Sequence, residues 1–265
     1  MAKKIITAFF TFCVTLSMTQ YVAATAPVID FQANGKYIRS YYLQLMKKPF
    51  INNGKKKALI IGDSHAQDFL NGVHENGYLS QYQISTRYIP TRCQIYLGQN
   101  QTQYLLPKDR ALCAKSDSLL QAQKQIAEAD LVILSSKWRD WSAKALPQTI
   151  KNLNLTPRQK LIVIGTKSFG RYQPNKYTHL SKEALLGLRS NVDKDQNSIN
   201  SVMTETLSKN IFVNLHQVVC GASNTCPVFT DQLQPISIDG GHLTKDGARY
   251  VGEKLFKHAL LASIK

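Results

Sequence analysis

A three-layer α/β/α domain built on a central parallel sheet is the fold this chain predicts, and three observations predict it. Residues 58–61, 131–134, 161–164 and 211–213 are short runs of almost continuous aliphatic and β-branched residues, the pattern of strands buried on both faces. Longer stretches with helical patterning separate them, and strands alternating with helices imply parallel pairing with helices covering both faces. No Pro/Gly/Ser-rich linker or internal repeat divides the 265 residues, a length that fits one large domain or two small ones.

The elements follow in order. Residues 25–56 form an N-terminal arm with a helix expected near 37–46, to which the sequence assigns no role. The first core strand, 58–61, leads into a helix over 66–78, and 84–89 is a weaker fifth strand candidate. Residues 92–110 are polar and read as a loop inserted at the rim of the sheet. Helices are expected over 116–129 and 142–153, around the strands at 131–134 and 161–164. A longer helix is expected over 181–208, before the strand at 211–213. The last helix, 244–263, repeats Ala248, Val251, Leu255 and Ala259 along one face.

Composition sets the class. Hydrophobic residues are 43% and charged residues 19%, enough apolar material for a packed core and against disorder. The formal net charge of +16 first suggests a nucleic-acid partner. The N-terminus argues otherwise. Lys3 and Lys4 precede an apolar run from Ile5 to Met18, and Ala23 and Ala24 end it, the layout of a secretory leader at residues 1–24. That run is shorter than the roughly 20 residues of a membrane span. The membrane is therefore met only through the leader, should it stay uncleaved as an anchor. Cys13 lacks the small residues that precede a lipidated cysteine. Losing Lys3 and Lys4 leaves the mature chain at about +14, and for an exported, periplasmic protein such a surface suits anionic glycans or headgroups rather than nucleic acid, or is simply solvated.

Cysteine usage agrees with export. After the leader, Cys93, Cys113, Cys220 and Cys226 remain. Three connectivities exist for four cysteines; the local pairs, Cys93 with Cys113 and Cys220 with Cys226, are preferred. The spacings are not those of paired zinc knuckles.

In open parallel sheets, ligands bind beyond the carboxyl ends of the strands. After the first strand come Gly62, Asp63, Ser64 and His65. A serine at a strand-to-helix turn exposes its hydroxyl, and its N–H points out of a helix start, so one residue can be nucleophile and oxyanion donor. An Asp or Ser there also serves as a plain helix cap. The second element decides between these. Asp239, Gly240, Gly241 and His242 precede the final helix, and an Asp three residues before a His on a Gly-rich turn can orient the imidazole as a general base.

With these residues on the page, the chain resembles the SGNH (GDSL-like) hydrolases, and within them the extracytoplasmic SGNH domains attached to bacterial membrane acyltransferases that O-acetylate surface polysaccharides. The resemblance runs from about Lys57 to the C-terminus. It rests on Leu59 to Ala66, on Val132 to Trp138, and on Asp239 to Thr244 with Gly247 and Ala248. It implies a flavodoxin-like three-layer fold, Ser64 as nucleophile, His242 as base and Asp239 as its partner, without metal or organic cofactor. Two departures stand out. The glycine and asparagine that complete the family's oxyanion hole have no clean counterpart, the third block reading Lys137, Trp138, Arg139. Asp63, Trp138 and Arg139 are accordingly candidates for oxyanion or substrate contacts, and the 92–94 segment or Gly98 for a main-chain donor.

The function implied is an exported serine esterase or O-acetyltransferase acting on acyl esters, acetyl foremost, of an envelope glycan. Transfer would need a separate membrane acyltransferase as acyl donor. Two other classes compete: a metal phosphoesterase using Asp63, His65 and His242, and a non-catalytic glycan-binding or assembly protein that keeps the shell.

Overall fold

The structure, a computed structural model, describes residues 30–170, 173–177 and 179–265; the predicted leader at 1–24, with Cys13, lies outside the described residues. The first helix, α1 (Phe31–Gln44), begins where the Asp30 carboxylate accepts the N–H groups of Gln32 and Ala33. The chain then alternates β1 (Lys56–Gly62), α2 (Ser64–Glu75), β2 (Tyr82–Tyr88), α3 (Arg110–Lys115), α4 (Leu119–Glu128), β3 (Leu131–Ser135), α5 (Asp140–Asn152) and β4 (Lys160–Ile164). It continues through α6 (Lys182–Leu186), β5 (Arg189–Asn191), α7 (Lys194–Thr206), β6 (Phe212–Val213), α8 (Leu215–Cys220), β7 (Thr225–Pro227), α9 (Lys245–Leu255) and α10 (Ala259–Ala262). The five main strands form one parallel sheet in the order β2-β1-β3-β4-β6. A small antiparallel pair, β5 with β7, stands apart from it.

The continuous apolar runs are explained by the layers. Ala58, Ile60, Ile133, Ile162 and Ile164 join one core with α2 and α9, which includes Leu70, Val251 and Leu255. Leu59, Ile61, Val132, Leu134 and Val163 join the opposite core with α4, α5 and α7. Successive strand residues thus feed two cores, as period-two geometry requires. Each fully buried Leu or Ile contributes roughly 1.5–3 kcal/mol.

Register brings the strand ends level. Gly62 pairs with Tyr88 on one side and Ser135 on the other, and Ser135 pairs with Ile164. The segments after β1, β2, β3 and β4 therefore leave the sheet along one rim. Gly62 must be glycine, because a Cβ there would overlap the Ser135 carbonyl oxygen. Gly72 on α2 and Gly252 on α9 likewise let those two helices meet backbone to backbone.

Two expected helices are interrupted. The helix expected over 181–208 stops at Gly187, gives β5, and restarts after Asp193, whose carboxylate caps α7 by accepting from Asp195 N–H. That expected over 244–263 breaks after Leu255, and His258 caps α10 through Leu260 N–H. In both cases a local capping side chain outweighs the longer apolar pattern. The helix expected over 116–129 starts at Leu119, capped by Ser118.

The arm before β1 packs into the domain. Tyr42 of α1 is fully buried; its hydroxyl donates to the Arg87 carbonyl at 2.7 Å, with the Ile60 carbonyl at 3.1 Å. Both local disulfides, Cys93–Cys113 and Cys220–Cys226, are formed. Among the described residues no helix is long and apolar enough to cross a membrane.

Candidate active site

Ser64 is the first residue of α2, directly beyond β1. Its N–H belongs to the first helical turn, where no intrahelical acceptor exists. The residue before it fixes the corner. Asp63 is fully buried and its carboxylate accepts from His65 N–H (2.9 Å), Thr91 Oγ1 (2.7 Å), Ser136 Oγ (2.8 Å) and Lys137 N–H (3.0 Å). One side chain thereby ties the segments after β1, β2 and β3 together. A carboxylate saturated with donors offers no hydrogen to an oxyanion, so the expectation that Asp63 contacts substrate gives way to a role in building the corner.

The second half of the site is a turn before α9. Asp239 Oδ2 lies 2.6 Å from His242 Nδ1, while its Oδ1 accepts the N–H groups of Gly241 (2.9 Å) and His242 (2.8 Å). Burial pushes the Asp239 carboxyl up, but the hydrogen bond from His242 and the two main-chain donors outweigh it and hold it well below the usual carboxylate range. An ionised Asp239 orients the ring through Nδ1 and leaves Nε2 for proton transfer.

The turn is held from beneath. Ser237 Oγ donates to the His242 carbonyl (2.6 Å) and accepts from Gly240 N–H (3.0 Å), and Phe169 N–H donates to the Gly240 carbonyl (2.9 Å). Lys167, just past β4, donates to the Gly241 carbonyl and pairs with Asp68 of α2 at 2.8 Å. Asp68 also accepts Leu243 N–H at 3.2 Å. Both side chains of this pair are buried, 2% and 0% exposed. Neither residue belongs to a motif, and only the place of Lys167 just after the strand at 161–164 marks it in the sequence.

Ser64, Asp239 and His242 line the same two cavities. One, of about 680 Å³, is closed on its far side by α1 through Ile38, Arg39 and Leu43. The arm thus acquires a role as a wall of the site. The other, of about 460 Å³, is polar and is lined also by Lys137, Lys167, Asp193 and Gln196. The structure brings Asp239 and His242 into contact and has Ser64 lining the same cavities, without a hydrogen bond between Ser64 and His242; bonds between a serine and its base are often long until substrate is bound.

The remaining candidates separate. Trp138 is 1% exposed and donates its indole N–H to the Ile164 carbonyl (2.9 Å), so it packs the core under the rim and lines neither cavity at Ser64. Arg139 lines a neighbouring cavity of about 620 Å³, not those at Ser64. The N–H groups of Cys93 and Gln94 are both taken by the Pro90 carbonyl, at 2.8 and 3.1 Å, so neither is a free oxyanion donor. Gln94 instead clamps the rim, donating to the Lys137 carbonyl (3.0 Å) and accepting from Arg139 N–H (2.9 Å). Gly98 lines none of these three cavities.

The metal reading fails on geometry. Asp63, His65 and His242 form no ligand cluster among the described residues, and the one cluster found, His216 with Cys220 and Cys226, has its sulfurs joined in a disulfide. His65 is 4% exposed with Nδ1 unpartnered. Burial, then the Lys167, Lys137 and His242 charges, push its pKa well below the usual histidine range, so the ring stays neutral behind the serine.

Comparison with known proteins agrees with the fold. No curated protein sequence matches the chain. The periplasmic domain of a lipopolysaccharide acetyltransferase of Salmonella ser. Paratyphi A has a similar fold, with a TM-score of 0.55 at 18% sequence identity, over 85% of this chain and 97% of that one. The family model described as the SGNH domain fused to AT3 domains matches residues 35–257, which takes in α1, the Ser64 corner and the Asp239–His242 turn alike. By that match, spanning most of its length, this chain belongs to the SGNH domain family.

Proposed function

We propose that the protein is a serine-dependent carbohydrate O-acyl esterase or O-acetyltransferase of the cell envelope, working through an acyl-enzyme on Ser64. The observation that carries this is the Asp239–His242 hydrogen bond on a turn lining the same cavities as Ser64 at the start of α2. In the first step Ser64 Oγ attacks the acyl carbonyl carbon and its proton passes to His242 Nε2. The carbonyl electron pair moves to oxygen. Collapse of that adduct expels the alcohol oxygen, which takes the proton from His242, and the acyl group stays on Ser64. Water or a sugar hydroxyl then gives its proton to His242 and attacks the acyl carbon, and His242 returns that proton to the departing Ser64 Oγ.

Membership in a family whose SGNH domains are fused to AT3 domains supports transfer, with the acyl group supplied by a separate membrane acyltransferase and received by an envelope glycan. Two disulfides and the leader-like N-terminus fit a periplasmic setting. A polar cavity on one side of Ser64 and a half-apolar one under α1 on the other suit a sugar and an acyl-bearing donor. The test is Ser64→Ala, which should abolish turnover of a chromogenic acetyl ester and labelling by a fluorophosphonate with an unchanged melting temperature. Undiminished turnover or labelling would remove the nucleophile.

A further inference from the structure

An acyl-enzyme mechanism needs donors for the carbonyl oxygen as it turns negative, and the corner supplies only part of them. Ser64 N–H is one. The neighbouring main-chain donors at Cys93 and Gln94 are occupied by Pro90, and the rim after β3 has no asparagine. We propose that the Lys137 ammonium is the second oxyanion donor, a catalytic residue that hydrogen-bonds the acyl carbonyl oxygen in the tetrahedral adduct on Ser64. This rests on the acyl-enzyme reading above.

Position is the first argument. Lys137 lies two residues beyond Ser135, which pairs with Gly62, so it leaves the rim level with the nucleophile corner. Its main chain is fixed there: the N–H donates to both Asp63 oxygens at 3.0 and 3.1 Å, and the carbonyl accepts from Gln94 Nε2 at 3.0 Å. With both backbone groups engaged, only the side chain is left to act.

Availability is the second. Lys137 lines the polar cavity together with Ser64 and His242. Lys167 lines it too, but that ammonium is spent on Asp68 and the Gly241 carbonyl. Lys137 makes no ion pair among the described residues, and its charge reaches the site, since it is among the cations that push the adjacent His65 ring down. A charge-assisted donor is about twice as strong as a neutral one, so an ammonium is a sufficient replacement for an amide. The proton from Ser64 still travels through His242.

The test uses an uncharged chromogenic acetyl ester, which gives a cation nothing to grip in the ground state. Lys137→Met should lower kcat about 10²–10³-fold with KM unchanged, the cost of losing one oxyanion donor. Phosphonylation of Ser64 by a fluorophosphonate should slow in parallel, and Lys137→Arg should recover much of the rate. Melting temperatures establish that each variant is folded, and Lys137→Ala, which also carries no donor, replaces Lys137→Met if the latter is not. An unchanged kcat, or a rise in KM alone, would overturn the assignment and make Lys137 a ground-state anchor or bystander. Persistence of turnover in Ser64→Ala would instead overturn the acyl-enzyme reading itself.

Discussion

The two halves of the site are built on opposite principles. At the serine corner the organising carboxylate, Asp63, is fully buried and receives donors from three rim segments. At the acid-base turn the organising carboxylate, Asp239, is about half exposed, 53%, and serves only its own turn. The first is part of the sheet's rim; the second is a surface turn docked onto it by the buried Asp68–Lys167 pair. Chemistry and stability are therefore distributed differently between them. On the proposed mechanism Asp239 serves the reaction, and its part in the fold is confined to its own turn, whereas the groups beneath the turn serve both.

Asp239→Asn breaks the comparison most directly. It should cost kcat up to about 10⁴-fold by favouring the wrong imidazole tautomer, while the melting temperature, followed by circular dichroism, stays near that of the parent. A large loss of stability would show that the turn is as integral as the corner. Lys167→Met comes next. It leaves Asp68 buried with an uncompensated charge, and denaturant titration should show a loss of about 3–5 kcal/mol. The double variant Asp68→Leu/Lys167→Met should be much less destabilised, yet slow, since nothing then holds the Gly241 carbonyl.

The smallest effect is a pH dependence on the serine side. His65 is neutral in the fold with its pKa depressed by burial and by Lys167, Lys137 and His242. The unfolded chain protonates it below its ordinary value near 6.5, so its contribution is present above that pH and is lost as pH falls below it. Stability measured from pH 7.5 to 5 should decline with a slope of at most about 1.4 kcal/mol per pH unit from this group. His65→Asn should flatten that limb. Asp239 acts later and with the same sign, as pH falls through 3.8, the midpoint at which its unfolded carboxyl protonates.

Much of the fold was legible because each strand is buried on both faces, so the runs at 58–61, 131–134 and 161–164 needed no partner to be recognised. The break in the helix expected over 181–208 was harder. β5 is three residues long and exists through its pairing with β7, a contact remote in sequence, although Gly187 and Asp193 carry the local stop and start signals. At the site, Ser64, Asp239 and His242 stand in recognisable spacings. Asp68 and Lys167 do not, because a buried ion pair between two helically and topologically separate positions leaves no periodic trace. Trp138 shows the limit of reading chemistry from residue type, since an indole that could stack a sugar is instead enclosed by its bond to the Ile164 carbonyl.

The seam between Gly72 and Gly252 joins the helix that opens with Ser64 to the helix that follows His242. Ser64 is synthesised well before His242, so on the proposed mechanism a chain emerging from its N-terminus carries an idle hydroxyl until α9 seats itself on α2. Reactivity at Ser64 then reports completion of the whole domain. In refolding followed in parallel, fluorophosphonate capture should trail the recovery of sheet structure, and widening the seam with Gly252→Ala should lengthen that lag.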